Sequence, residues 1–600
     1  MERAIKLLRR SFEMRLACAA GSPTLGVKAA DSLRRRCCWQ SVMPRYPAPQ
    51  AAVTVLHGAG RLFCSVALAI LETTLDLHPA LRRQTLSDLL HRTAARLPHK
   101  PAILCGDVVW TWAEFDALVS RLAAGLHAQG VASGAHVGVL ARNSHGFAAL
   151  RFALARLGAV LVPVNFMLNA DEAGYILRHA GVKLLAVDSG LAALGRDAAT
   201  RDTQITRFLW LPSEEPSTCP PDCMDFNALA ATDLARQPCP EPGFNSHHLL
   251  QIVYTSGTES LPKGAMLTHG AVIDQYVSCI IEGEMAESDT VLHALPLYHC
   301  AQLDVFLGPS VYLGSTSIIT AKPTPENLLP LIAKHRISQF FLPPTVWIAL
   351  LRSPLFALHD LSGLRKGYYG ASIMPVAVLR ELIERIPQMR LWNFYGQTEI
   401  APLATVLKPE DQLRKPGSAG RPAINVETRV VDDDMQDVAV GETGEIVHRS
   451  PQLLLGYFND PQRTAAAFAG GWFHSGDLGQ VDDEGYISVV DRKKDMIKTG
   501  GENVASREVE EALYRLAGVS EVAVVGLPHP RWIEAVTAVV VCKPGALLDE
   551  AQVIAHCAAQ LAHFKTPKAV VFVDALPKNP SGKLLKRDLR LRFEGLFSTH

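Results

Sequence analysis

The sequence predicts an α/β protein: a large N-terminal domain of doubly wound parallel sheets plus a small β-barrel, with a smaller C-terminal α+β domain on a hinge. Three observations carry this. Short β-rich apolar runs alternate with longer stretches of helical apolar spacing, which is how parallel strands joined by crossover helices read. After Arg414-Lys415-Pro416-Gly417 the pattern changes to strands separated by glycine turns, and beyond Asp491 a compact helix and strand unit begins. With 600 residues and 48% hydrophobic content, the chain can bury several cores rather than one.

Taken in order, residues 1–84 form a basic extension expected to be disordered or weakly structured. Residues 1–45 hold ten Lys/Arg against three acids, a composition like that of a transit peptide or of translated upstream sequence. The apolar run Leu62 to Leu71 has ten residues, about half of what a bilayer crossing requires. Leu86, Leu89, Leu90 and Ala94 share helical spacing, and Thr111 with Glu114 three residues on reads as a capped helix start. The β-rich runs are Val137 to Ala141, Val160 to Val164, Lys183 to Val187, Ile252 to Tyr254, Phe340 to Leu342 and Leu391 to Tyr395. The Pro-, Ser- and Asp-rich stretch Leu211 to Asn245 reads as a surface loop. Glycine-punctuated strands follow at Asn425 to Val431, Gly444 to His448 and Gly485 to Val490. The last unit carries a helix on Val509, Ala512, Leu513 and Leu516, then strands Val522 to Val525, Val536 to Cys542 and Ala569 to Val573. The expected domains are 85–490 and a mobile 491–600.

A formal net charge of zero gives no global basic field, so nucleic acid is not an expected partner. Twelve cysteines are scattered, and Cys219, Cys223 and Cys239 lack the paired spacing of a structural zinc site. A reduced, cytoplasmic protein is expected.

The chemistry concentrates in loops. Tyr254-Thr255-Ser256-Gly257-Thr258-Glu259-Ser260-Leu261-Pro262-Lys263-Gly264 follows the apolar run Leu249 to Val253. A strand breaking into small hydroxylated and glycyl residues offers backbone N–H groups and hydroxyls to phosphate oxygens, and Lys263 adds a cation. A kinase-type P-loop would need its lysine directly before Ser or Thr; Lys263 precedes Gly264, so that reading fails. Tyr369-Gly370-Ala371-Ser372 reads as a tight turn or as a flat shelf for a purine. Phe394-Tyr395-Gly396-Gln397-Thr398-Glu399 brings together an aromatic for stacking, a hydroxyl for phosphate and a carboxylate for Mg²⁺. Asp477, in Trp472-Phe473-His474-Ser475-Gly476-Asp477, is a bidentate acceptor suited to two adjacent hydroxyls. Asp491-Arg492-Lys493-Lys494-Asp495 would alone read as a solvated turn, and Lys583, in Pro577-Lys578-Asn579-Pro580-Ser581-Gly582-Lys583, as an exposed lysine.

Together these segments resemble the acyl-adenylate-forming (AMP-binding) superfamily, in its acyl-CoA ligase (fatty acyl-CoA synthetase) branch, over about Thr85 to Arg592. The phosphate loop departs from the superfamily pattern at Glu259 and Ser260. The resemblance implies ATP-dependent activation of a carboxylic acid to acyl-AMP, then transfer to CoA, with Mg²⁺ as cofactor and ATP and CoA as cosubstrates. It implies an ATP/AMP site of Thr255, Ser256, Gly257, Thr258, Lys263, Gly370, Ala371, Ser372, Tyr395, Gly396, Asp477 and Arg492. The catalytic set it implies is Lys583, Thr398, Glu399 and His299, with Glu399 on the metal, Asp491 as hinge, and Lys498, Gly500 and Gly501 toward CoA. Seventeen residues follow Lys583, so no carrier domain is expected and free CoA is the expected thiol. Pro296-Leu297-Tyr298-His299 resembles the pocket motif of acid-activating members, and Leu303, Phe340, Phe341 and Tyr368 suit a medium- or long-chain fatty acid or an aryl acid. Asp304 leaves an amino-acid substrate open. Membrane contact is expected to be at most peripheral, and a homodimer is left open. A luciferase-type monooxygenase, a stand-alone adenylating enzyme and a non-catalytic binding module remain alternatives.

Overall fold

A computed structural model describes residues 82–239, 243–255, 261–370, 374–493, 495–500, 502–578 and 584–597. The basic extension up to residue 81, with the run Leu62 to Leu71, lies outside the described residues.

Two large sheets form the body. The seven-stranded sheet runs Cys223–Asp225, Arg207–Trp210, Leu184–Val187, His136–Leu140, Val160–Pro163, Leu249–Thr255, Lys263–Thr268. All its pairings are parallel except the last, an antiparallel edge. The nine-stranded sheet runs Arg421–Pro422, Leu403–Leu407, Arg390–Gly396, Lys366–Gly370, Gln339–Phe341, Thr290–His293, Thr316–Ile319, Pro101–Cys105, Val108–Thr111. Its centre is parallel and both margins are antiparallel. Central strands are covered on both faces, so they read as unbroken apolar runs: Leu184–Val187 and Val160–Pro163 are buried at every residue.

The crossover helices bear the predicted signals. Helix Trp112–Ala128 starts at a capping box, with Glu114 N donating to Thr111 Oγ1 at 3.3 Å and Thr111 N to Glu114 Oε2 at 2.8 Å. Helix Leu86–Arg96 buries Leu86, Leu89, Leu90 and Ala94. Helix His145–Leu157 is buried all round, Arg151 included.

The small antiparallel element is a four-stranded sheet, Glu427–Val431, Gly444–Arg449, Phe473–Val481, Ile487–Arg492. Its last strand bridges to Gly420, which ties it to the large body. Next comes the α+β unit, built on a long hairpin of Val519–His529 and Ile533–Cys542 with Ala569–Phe572 beside it. Helix Ser506–Tyr514 packs Val509, Ala512 and Leu513 into that unit's core.

One expectation fails. The stretch from Leu211 to Asn245 is not all loop: Cys223–Asp225 is the edge strand of the seven-stranded sheet, and helix Phe226–Ala230 follows it. Asp225 caps that helix, accepting from Asn227 N at 2.8 Å, and Phe226 and Ala230 are buried in the core. Two apolar anchors four residues apart were enough to dock a helix inside a polar stretch.

Candidate active site

Strand Leu249–Thr255 turns back into Lys263–Thr268, with Thr255 opposite Lys263. The connection between them therefore leaves from the carboxyl end of a strand, where ligands gather in such sheets. Its residues Ser256, Gly257, Thr258, Glu259 and Ser260 lie outside the described residues. At the near edge, the buried Thr255 Oγ1 finds no hydrogen-bond partner among the described residues. On the far edge, Lys263 Nζ donates to the Tyr457 hydroxyl at 2.6 Å and stands 4.1 Å above that ring. It is also 3.5 Å from Glu399 Oε1, to which the Tyr457 hydroxyl donates at 3.0 Å.

Tyr457 was not legible in the sequence. It arrives because residues 455–458 lie along the returning strand: Leu455 N donates to Met266 O, Met266 N to Gly456 O and Phe458 N to Gly264 O. The only local signal is the dipeptide Gly456-Tyr457 after an apolar run, and it gives no hint of this pairing.

Glu399 and Thr398 belong to a short turn, Thr398–Ile400, after strand Arg390–Gly396, and both are buried. That strand pairs in parallel with Lys366–Gly370, bringing Gly370 opposite Phe394. A Cβ on Gly370 would lie 2.3 Å from the Phe394 carbonyl oxygen, so close strand packing alone requires glycine there. Ala371 and Ser372 lie outside the described residues. Gly396 ends the strand, and the buried Gln397 Nε2 beside it is another polar atom without a partner among the described residues.

Thr398 Oγ1 lies 3.2 Å from Cys300 Sγ. Burial pushes the Cys300 thiol up to about 12, with the Thr398 hydrogen bond working against it. Half-buried His299 caps the short helix Cys300–Gln302, its Nδ1 accepting from Ala301 N at 3.1 Å. Tyr298 sets its ring edge-on to Phe166, with centroids 5.3 Å apart, and its buried hydroxyl has no partner among the described residues.

Asp477 closes the other side. Tyr395, expected as a stacking aromatic, donates its hydroxyl to Asp477 Oδ2 at 2.7 Å. Arg492 Nε is 2.6 Å from Asp477 Oδ1, yet that oxygen receives no aligned hydrogen bond among the described residues. Burial and the neighbouring carboxylate push the Tyr395 phenol well above its ordinary range, so it stays a donor. Orphaned buried polar atoms are costly and few in folded proteins. Four of them, on Thr255, Tyr298, Gln397 and Asp477, fall on the segments singled out from the sequence.

Asp491 caps the first turn of the C-terminal unit. Its Oδ2 accepts from Ser506 N at 2.8 Å and Ser506 Oγ at 2.7 Å. The neighbouring Arg507 spans back to the body, donating to the Val489 and Gly417 carbonyls. Gly500 has φ +60° and donates its N–H to Trp532 O at 2.9 Å. Lys498 is exposed, with its backbone N donating to Glu534 Oε2 at 2.7 Å. Gly501 and Lys583 lie outside the described residues.

The acid-pocket reading needs two corrections. Leu303, Phe340 and Tyr368 are at most 1% exposed, so they back the wall and line no water-filled space. Asp304 is fully buried, held by Arg151 Nη2 and Gln251 Nε2 at 2.7 Å each, and is committed to a core ion pair rather than open to a substrate ammonium. No group of three or more His, Cys, Asp or Glu side chains among the described residues could hold a metal by itself.

Residues 90–458 match the family model of AMP-binding enzymes, and residues 508–583 match the model of their C-terminal domain. The chain is 36% identical over 513 residues to a feruloyl-CoA synthase of Amycolatopsis sp, covering 86% of this chain and all of that one. It is 36% identical over 488 residues to a long-chain-fatty-acid–CoA ligase of Mycobacterium tuberculosis, covering 81% of this chain and 94% of that one. The ATP-bound structure of MatB from Rhodopseudomonas palustris superposes with a TM-score of 0.77 at 30% identity, covering 86% of this chain and all of that one.

Proposed function

The chain belongs to the AMP-binding enzyme family, and from that premise we propose that it ligates an aryl acid, or a medium- to long-chain fatty acid, to CoA through an acyl-adenylate. The observation that carries this is the convergence of Lys263 and Glu399 on one side with Asp477 and Arg492 on the other, linked by Tyr395, which donates to Asp477 from four residues before Glu399. A cation and a carboxylate side by side, with a second carboxylate suited to a diol nearby, fit a nucleoside triphosphate.

In the first half-reaction a carboxylate oxygen of the acid attacks the α-phosphorus of ATP, and the bond to pyrophosphate breaks. Two anions must meet, so the site's cations govern the barrier. Lys263 neutralises phosphate charge from the loop, and Lys583 does so from the C-terminal unit. The Thr398 hydroxyl donates to phosphate, steadied by Cys300. Asp477 takes the ribose hydroxyls on the oxygen that lacks an aligned donor, with Arg492 and Tyr395 fixing its orientation. Glu399 would hold Mg²⁺, since one protein carboxylate with phosphate oxygens and waters is the usual donor set for that ion on a nucleotide. When bound, the ion supplies charge neutralisation at the phosphates.

In the second half-reaction the CoA thiol loses its proton to solvent and its sulfur attacks the acyl carbon; the acyl C–O bond to the phosphate breaks and AMP leaves. Rotation of residues 491–600 about Asp491 withdraws Lys583 and brings Lys498, Gly500 and Gly501 to the thiol path. His299 and Tyr298 stand at the acid's carboxyl end and present no carboxylate to an ammonium.

A cytoplasmic location belongs to the same proposal, as thiols buried in the cores at Cys105, Cys279, Cys300 and Cys557 suit a reducing compartment. No helix among those residues is long and apolar enough to cross a membrane. The test is pyrophosphate release with octanoate, dodecanoate, benzoate and cinnamate, with and without CoA. Acid-dependent release that yields a CoA thioester supports the reading; release without thioester, or none at all, overturns it.

A further inference from the structure

We infer that Tyr457 is a positioning residue for nucleotide capture, its phenol keeping the Lys263 ammonium and the Glu399 carboxylate from closing on each other. The inference rests on the site being one for ATP.

Lys263 Nζ and Glu399 Oε1 are 3.5 Å apart, and the Glu399 side chain is only 7% exposed. Opposite charges that close, with little water between them, attract strongly. They already stand at ion-pair distance; without the phenol that pair would shorten to a hydrogen-bonded contact, and each charge would then be fully occupied by the other. The triphosphate needs the lysine and a nucleotide-bound metal needs the carboxylate, so that pair would have to break at each turnover.

The Tyr457 hydroxyl meets both groups with opposite roles. It accepts from Lys263 at 2.6 Å and donates to Glu399 at 3.0 Å. The ammonium is further held over the ring at 4.1 Å. Each charge is thus partly satisfied by a neutral group that can be given up at lower cost than a full counter-charge. Tyr457 itself is fixed: it is 4% exposed, its N–H donates to Thr464 Oγ1 at 2.9 Å, and it bridges to Ala265.

The experiment compares the wild type with Tyr457→Phe, which keeps the ring and its packing. Calorimetry gives the Kd of ATP with Mg²⁺ and the Kd of AMP; thermal melting reports folding, and pyrophosphate exchange gives the Mg²⁺ concentration for half-maximal rate. The expected result is a roughly tenfold weaker Kd for ATP with Mg²⁺ and a higher Mg²⁺ requirement, the size of one hydrogen bond to a charged group. AMP affinity and melting temperature should stay near the wild-type values, because AMP needs neither group. Unchanged ATP affinity overturns the role, and so does equal weakening of ATP and AMP. A second test places Tyr457→Phe on Lys263→Met: with no ammonium left to collapse, the phenol's loss should cost no further Mg²⁺ dependence, and additive effects would refute the idea. No pyrophosphate release by the wild type with any acid would remove the ligase reading itself. A working ligase whose Y457F variant binds ATP normally removes only the tyrosine's role.

Discussion

Arg492 Nε stands 2.6 Å from Asp477 Oδ1 while the Tyr395 hydroxyl holds the other oxygen at 2.7 Å, so two consecutive strands and a third from another sheet meet on one carboxylate. Asp477 and Arg492 face each other in register on adjacent strands, and Arg492 directly follows the proposed hinge residue. Asp477→Asn keeps the shape but removes the charge that two ribose hydroxyls would use. A hydrogen bond to a charged group is worth roughly 1.5–3 kcal/mol, so ATP and AMP affinity should both fall by about ten- to a hundredfold in calorimetry. The equal loss separates this residue from Tyr457, whose removal should spare AMP. Retained AMP binding in Asp477→Asn would place the ribose elsewhere.

Asp304 gives a prediction of the opposite kind. Its carboxylate is held by Arg151 and Gln251, with the Tyr276 hydroxyl at 3.4 Å, all inside the core. Burial pushes its carboxyl up and Arg151 works against that shift. Asp304→Asn would leave Arg151 buried without its counter-charge, a loss of about 3–5 kcal/mol. The expected outcome is a much lower unfolding midpoint in urea with no change in the order of acid substrates. Leucine and phenylalanine should stay inactive in pyrophosphate exchange in both forms. A gain or loss of amino-acid activity in the variant would mean that Asp304 faces the acid after all.

What could be read from the sequence follows the range of the interactions. Strand positions such as Leu184–Val187, and the Thr111 and Glu114 cap, depend on neighbours in sequence, and they stand where the pattern put them. The motif residues Glu399, Asp477 and Lys263 could be singled out because their segments hold residue types that suit phosphate, ribose or metal, although Asp477 lies within strand Phe473–Val481 and Lys263 opens strand Lys263–Thr268. Tyr457 and Cys300 could not. Tyr457 reaches Glu399 only through the pairing of residues 455–458 with the returning strand, and Cys300 touches Thr398 across 98 positions of sequence. Asp304 was misjudged for the same reason. An acid after a pocket motif looks available until Arg151, on a helix buried all round, is seen to claim it.

Cys300 offers a test by inertness. It is 1% exposed, and burial pushes its thiol up to about 12, so the reactive thiolate is suppressed at pH 8. Treating the native enzyme with iodoacetamide should leave Cys300 unlabelled by peptide mass spectrometry and pyrophosphate exchange unimpaired. Cys300→Ser should hold Thr398 nearly as well and stay within a fewfold of wild type, whereas Cys300→Val should raise the KM for ATP. Rapid labelling of Cys300 in the folded enzyme would contradict this packing.

Four histidines set the acid limit of the fold. Burial lowers His145 to about 4, and His269, His293 and His448 to about 3, from an ordinary 6.5, with the Arg151 charge adding to the effect at His269. Each is neutral when folded and gains a proton on unfolding below pH 6.5. Stability from these groups is therefore complete above pH 6.5 and is lost as the pH falls from there toward 3 to 4. At pH 5 the loss is about 2 kcal/mol for each histidine. Asp274, Asp304, Glu510 and Glu511 are shifted up by burial and pull the other way, while His179 and His335, also lowered by burial, add to the histidine effect. Urea unfolding followed across pH 7 to 5 should show a steep fall in stability, with protons taken up on unfolding. His448 isolates one of them, since its Nδ1 lies 3.0 Å from Thr428 Oγ1 and its buried Nε2 has no partner among the described residues. His448→Phe keeps a ring and removes one titrating site, so the slope below pH 6 should drop by up to about 1.4 kcal/mol per pH unit. A slope that is unchanged in His448→Phe would mean that this imidazole takes up its proton without unfolding, and that water reaches it in the native state.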